Sequence, residues 1–287
     1  MNALTDPRTF AAPELRFATV PSGVRIPYVA SGTGEPLVFV HGSLCDYRYW
    51  NGQAEVLSSY FRCISLSLSH YWPGDDTGAH TAFSWQAHVD EVAAFIAAMD
   101  VGPVHLVGHS RGGCVAFHLA RTYPQLVKTL TLADPGGPLQ LDGAAPAALP
   151  PATEALRAQV AALIGNGAID AGLEKFVDSV SMPGIWRRSR PSFRTMAIDN
   201  AGTLPKQFRD PLPAYTRAAA REIGCPTLLI EGEKSPRMYR DNVAALAGWM
   251  GHVDKRSIAG ASHGMNVSHP AAFNRLIQAF VESADGK

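Results

Sequence analysis

Val104–Gly113, VHLVGHSRGG, decides how this chain is read. A short apolar run stops at Gly108, and Gly108-His109-Ser110-Arg111-Gly112 spells G-x-S-x-G. A serine held on a sharp strand-to-helix turn needs small residues two positions before and after it, because a Cβ there would meet neighbouring backbone. Cys114 to Tyr123 reads as a helix ended by Pro124, which puts Ser110 at a helix N-terminus, where backbone N–H groups favour developing negative charge. A glycine-flanked serine is common by chance; the strand before it and the helix after it give this one meaning.

Outward from that turn, strands and helices alternate. Phe17 to Ala30 reads as a hairpin around Pro21-Ser22-Gly23, and PLVFV (Pro36 to Val40) as a strand buried on both faces, ending in His41-Gly42-Ser43. Leu44 to Ser59 can form a helix, Phe61 to Leu68 a second central strand, and Phe83 to Met99 a helix with apolar residues at helical spacing. Val127 to Ala133 is a further strand running into Asp134-Pro135-Gly136-Gly137. Between about Pro138 and Ile223 the rhythm breaks into Ala-rich and Pro-rich helical patterns with no clear strand. It resumes with strands at Pro226 to Ile230 and Asp254 to Ile258 and helices at Arg237 to Met250 and Pro270 to Glu282. Such alternation predicts an α/β fold with a mostly parallel, doubly wound sheet and helices on both faces. The expected division is a core of residues 1–137 and 224–287 and an inserted helical cap over 138–223.

Composition narrows the function. In 287 residues Lys plus Arg and Asp plus Glu both number 25, so no bulk charge draws the chain to nucleic acid or an anionic membrane. Cys45, Cys63, Cys114 and Cys225 are far apart, without the spacing of a zinc site or a disulfide framework, and read as reduced thiols. The N-terminus lacks a basic start followed by an apolar run, and no stretch of about 18 apolar residues occurs, so the expectation is a cytoplasmic protein. His70, Asp75, Asp76, His80 and His88 do not have zinc-like spacing and imply no metal.

With His41-Gly42, GHSRGG (Gly108 to Gly113), PTLLIEGEK (Pro226 to Lys234) and GASHG (Gly260 to Gly264), the sequence resembles the α/β-hydrolase superfamily over nearly everything outside the inserted segment. The resemblance implies Ser110 as nucleophile and His263 as the base that takes its proton. It also implies an oxyanion hole from the backbone N–H groups of Ser43 and Arg111, with His41 bracing the oxyanion loop. His109 reads as packing. Where the superfamily usually carries its acid, this chain has Gly232-Glu233-Lys234-Ser235-Pro236, and Ser235 cannot hold an imidazolium. Some members place the acid after the preceding strand, which favours Asp134, with Glu233, Asp210 and Asp241 as alternatives.

The resemblance therefore implies a serine hydrolase acting on a small-molecule ester or lactone without a cofactor, with a homodimer compatible. Carbon–carbon bond hydrolases and perhydrolases share the triad, and a ligand-sensing receptor could share the fold. A serine rather than an aspartate at the turn argues against epoxide hydrolases and haloalkane dehalogenases. The insertion is rich in large apolar residues, among them Met182, Trp186 and Phe193, which are expected to line an apolar pocket. Arg187, Arg188, Arg190 and Arg194 read either as a solvated face or as a gate for a substrate carboxylate.

Overall fold

Why the serine turn sits in the middle of the molecule follows from the order of the strands around it. In the computed structural model, which describes residues 13–74, 82–145, 148–284 and 286, β1 (Arg16–Thr19) and β2 (Arg25–Ser31) pair antiparallel. β3 (Pro36–Val40) is buried at every position and is followed by α1 (Asn51–Leu57) and β4 (Arg62–Leu66). Then come α2 (Trp85–Ala98), β5 (Val104–His109), α3 (Arg111–Thr122) and β6 (Val127–Ala133). The order across the eight-stranded sheet begins β1-β2-β4-β3-β5-β6. After β3 the chain steps first to one side and then to the other, so the direction of winding reverses between β3 and β5. A crevice opens at the carboxyl ends of strands at such a reversal, and His41-Gly42 and Ser110 stand at those two ends.

Beyond β6 lie β7 (Leu139–Gln140), α4 (Pro151–Gly165), α5 (Ile169–Val180), α6 (Ile185–Arg188), α7 (Pro191–Asp199), α8 (Thr203–Arg209), β8 (Tyr215–Thr216) and α9 (Arg217–Arg221). The two short strands, absent from the sequence reading, pair with each other in a separate two-stranded ladder. At two residues each they are below any periodicity a sequence can display. The main sheet is completed by β9 (Thr227–Gly232), α10 (Arg237–Trp249), β10 (Val253–Ile258), α11 (Met265–Ser268) and α12 (Pro270–Ala284), with β9 and β10 parallel to β6. The helix expected from Leu44 begins only after Asp46. Leu44 has φ 62°, and the Asp46 carboxylate accepts from the Arg48 N–H, capping a single 3₁₀ turn over Tyr47–Trp50 that leads into α1.

Two apolar clusters cover the two faces of the sheet. One joins α2, α3 and α10 to Val38, Leu106 and Leu132; the other joins α1, α11 and α12 to Leu37, Phe39, Val107 and Ile230. Neighbouring residues of one strand therefore feed opposite clusters, as strand alternation requires. A third cluster belongs to the helices between β6 and β9, with Val160, Leu173, Trp186 and Leu204 at its centre, and Leu44 enters it from the loop after β3. Each fully buried aliphatic or aromatic side chain contributes about 1.5–3 kcal/mol.

The serine turn itself is a contact between backbones. A Cβ on Gly112 would run into the carbonyl oxygens of Val40 and His41, and one on Gly108 into the carbonyl of Gly112 and the Cβ of Ala116. Gly52, in α1, faces nothing within 4 Å. Gly112→Ala is therefore expected to lower stability by more than about 2 kcal/mol or prevent folding, while Gly52→Ala is neutral or slightly stabilising. Urea unfolding of the two variants checks this, and equal midpoints would contradict the packing described.

Candidate active site

Ser110 occupies φ 54°, ψ −121°, a region that L-residues rarely enter. It is held there from several sides: its N–H donates to the Ala133 carbonyl at 3.1 Å, and its carbonyl accepts from the Gly136 N–H at 2.9 Å. Arg111 opens α3, so its own N–H has no carbonyl four residues back within the helix. The Arg111 side chain is buried with Asp210, Nη2 to Oδ2 2.6 Å.

Asp134, also at positive φ (40°), is fully buried at the end of β6. Its Oδ2 lies 3.1 Å from His263 Nδ1 and accepts from Ser235 Oγ at 2.5 Å, and the Gly232 backbone also favours its charged form. Of the other acids considered, Glu233 accepts from the Gly260 N–H, Asp210 is taken by Arg111 and the Trp85 N–H, and Asp241 is an exposed partner of Arg237. Ser235, unable to serve as an acid, thus stands as a hydrogen-bond donor to Asp134.

His263 follows β10 and is brought to the serine by two neighbours. His109 Nε2 donates to the His263 carbonyl at 2.8 Å, and the two rings stand 4.6 Å apart. Tyr239, in the first turn of α10, stacks on the His263 ring at 3.9 Å between centroids and 18° between planes. The sequence reading did not single out Tyr239. A tyrosine shortly after a strand end has no signature of its own until the strand order shows what it faces.

The loop after β3 is equally fixed. His41 Nδ1 donates to the Gly42 carbonyl at 2.8 Å while Nε2 accepts from the Leu68 N–H at 3.0 Å, which defines a neutral imidazole. A Cβ on Gly42 would lie 3.0 Å from the Ser110 Cβ, so the loop lies against the serine turn. Ser43 Oγ donates to Gln207 Oε1 of α8 at 2.6 Å. Asp46 is buried and binds Arg48 and Asn200, tying the same loop to the end of α7.

The residues of the inserted segment divide. Trp186 is fully buried inside the helical layer, its indole N–H donating to Asp170 and its backbone N–H to Asp178. Phe193 is half-buried between that layer and the cluster beneath it, and Met182 is half-buried. Arg187 pairs with Glu174 and Arg194 with Asp170, and Arg188 and Arg190 are exposed. Those four face solvent or neighbouring acids. Of the histidines and acids weighed as a metal cluster, 75, 76 and 80 lie outside the described residues, while His88 is buried on α2 with Nε2 on the Ser69 carbonyl. No group of three metal-binding side chains occurs among the described residues, and no described helix is long and apolar enough to cross a membrane.

Residues 37–276 match the model of the alpha/beta hydrolase family. The chain is 26% identical over 257 residues to an (E)-2-((N-methylformamido)methylene)succinate hydrolase of Acinetobacter baylyi, covering 89% of this chain and 94% of the relative. It is 24% identical over 286 residues to a 2-hydroxymuconate semialdehyde hydrolase of a Pseudomonas species, covering 96% of both. Among solved structures, an esterase from Exiguobacterium antarcticum superposes with a TM-score of 0.79 at 18% identity, over 93% of this chain and 98% of the other.

Burial sets the protonation of the site. It pushes the His263 imidazole down and the Asp134 carboxyl up, although the Ser235 hydroxyl and Gly232 N–H favour the carboxylate. It likewise lowers His41 and His118 to about 4, His109 to about 3 and His88 well below its usual value. The unfolded chain takes up protons at these five histidines as pH falls through about 6.5, while the folded chain refuses them, so stability is lost as pH falls below that value. Asp134 and Glu91, both raised by burial, act in the opposite sense but are outnumbered. The melting temperature is therefore expected to be lower at pH 5 than at pH 7, with a slope of about 1.4 kcal/mol per pH unit for each net proton. Equal or higher stability at pH 5 would contradict neutral burial of these rings.

Proposed function

The chain belongs to the alpha/beta hydrolase family, and from that premise we propose that it is a serine hydrolase cleaving a carboxylic ester or lactone through an acyl-enzyme. The observation that carries the reading is the strained serine next to His109, whose ring stands 4.6 Å from that of a histidine whose Nδ1 lies against a buried carboxylate. In this reading Ser110 attacks the carbonyl carbon as its proton passes to His263. Charge builds on the carbonyl oxygen, which the N–H groups of Arg111 and Ser43 receive. The tetrahedral intermediate collapses, the alcohol oxygen leaves with the proton from His263, and the acyl group stays on Ser110. A water then gives its proton to His263, attacks the acyl carbon and releases the acid with Ser110 restored. Asp134 holds the imidazole in the tautomer that presents Nε2 to the serine and stabilises its transient charge.

Residues 138–223 serve in this reading as a cap over the core, with Phe193 and Met182 toward the substrate and Trp186 holding the helices together from within. A second reading is carbon–carbon bond hydrolysis on the same residues, because a relative of matching length is named for a semialdehyde, a substrate with no ester to cleave.

Ser110→Ala is expected to abolish both ester hydrolysis and labelling by a fluorophosphonate, and labelling that persists at another residue would overturn the nucleophile. Asp134→Asn is expected to lower kcat by about 10³–10⁴, whereas Glu233→Gln changes it by less than about threefold. The reverse ranking would move the acid to Glu233. Faster cleavage of a vinylogous diketone than of any ester or lactone would move the reaction to carbon–carbon bonds.

A further inference from the structure

Four arginines around the site are matched with acids. Arg111 pairs with Asp210, Arg187 with Glu174, Arg194 with Asp170 and Arg217 with Asp142. Arg157, on α4, is half-buried, and among the described residues no carboxylate pairs with it. Its guanidinium lies over the Phe208 ring at 5.4 Å, and Phe208 is packed in turn by Phe176 at 6.0 Å. A ring under one face fixes the guanidinium plane and leaves its N–H edge to bind something else.

The place of Arg157 in the fold says what that could be. Val160, one turn further along α4, packs with Leu204 of α8 and with Leu44, which directly follows Ser43. Next to Phe208 in sequence is Gln207, which holds the Ser43 hydroxyl. Arg157 therefore stands on the side of the helical layer that faces the loop after β3. Its charge is felt by the Tyr239 phenol, whose ring stacks on His263. The charged group that acts on Arg157 is another cation, Arg111, whose own acid is already engaged. A half-desolvated cation, repelled by its charged neighbour and seated over an aromatic ring, is costly to maintain unless a ligand completes it.

We propose that Arg157 binds a free carboxylate of the substrate, so that the preferred substrate is the half-ester of a dicarboxylic acid, with its ester carbonyl at Ser110 and its carboxylate in the guanidinium fork. A carboxylate matches a single guanidinium in charge and in bidentate geometry. The half-ester identity rests on the ester reading of the site; the carboxylate recognition is tested apart from it. This places recognition on α4 rather than on the arginines at 187, 188, 190 and 194.

The test is calorimetric binding of monomethyl and dimethyl succinate, glutarate and adipate to Ser110→Ala protein, which cannot turn them over, with Arg157 intact, as Arg157→Gln and as Arg157→Lys. With Arg157 intact, at least one monomethyl ester is expected to bind about tenfold or more tighter than its dimethyl counterpart. Arg157→Gln abolishes that preference, and Arg157→Lys, which keeps the charge but loses the fork, retains part of it. No preference with Arg157 intact, or a preference that survives in Arg157→Gln, overturns the proposal; the second result would mean that the arginine merely covers Phe208. Inorganic phosphate displacing the monoester better than glutarate does would overturn the choice of carboxylate. Turnover of the same esters by the Ser110 protein is measured in parallel. A binding preference that depends on Arg157 without any turnover would sink the ester reading while sustaining the carboxylate site.

Discussion

The conformation of Ser110 is the constraint around which the rest is arranged. A non-glycine residue at φ 54°, ψ −121° costs about 1–3 kcal/mol and persists only where its surroundings over-determine it. Here the surroundings are backbone: the carbonyls of Val40 and His41 pressed against Gly112, the Ala133 carbonyl holding the serine N–H, and the Gly136 N–H holding its carbonyl. Each of those groups sits at the end of a central strand. The distortion can exist because β3, β5 and β6 are adjacent and parallel, and their pairing is held by side chains buried on both faces. A kilocalorie-scale strain at one residue is thus supported by the packing of two whole clusters.

Charge is handled in the same spirit. Asp134 has no exposure, and a bare carboxylate there would be prohibitive; the donors that make it tolerable come from β9 and the turn after it, through Gly232 and Ser235. Arg111 is buried against Asp210 beyond α8, and Asp46 against Arg48 and Asn200 beside α7. These contacts stitch the helices between β6 and β9 to the serine turn and to the loop after β3. Removing one partner of either pair would leave the other charge stranded, at a cost of about 3–5 kcal/mol.

Much of this was legible in the chain itself, for physical reasons that differ by element. β3, β5, β6 and β9 announce themselves because a strand buried on both faces must be a continuous apolar run. Gly108, Ser110 and Gly112 are legible because the turn excludes Cβ atoms, so the requirement falls on residue type. That Asp134 rather than residue 235 is the carboxyl group beside His263 was within reach because Ser235 cannot ionise. What escaped was tertiary. Leu44 looks helical until Asp46 caps the turn beyond it. Trp186 looks like pocket lining because hydrophobicity alone cannot tell a pocket wall from the inside of the layer that forms it. Tyr239 and Arg157 carry no pattern at all, since their neighbours are far away in sequence.

That distance has a consequence for how the protein is made. The bond from His109 to the His263 carbonyl spans 154 residues, the His263–Asp134 contact 129, and the Ser235–Asp134 bond 101. Closing loops of this size costs entropy that local contacts cannot repay, so such pairings form late and together. On the ribosome β3, β5 and β6 emerge long before α12 and the histidine loop, and the nascent sheet carries its serine without a partner. Secondary structure would return early in refolding, and the assembled site only when the last fifth of the chain has docked.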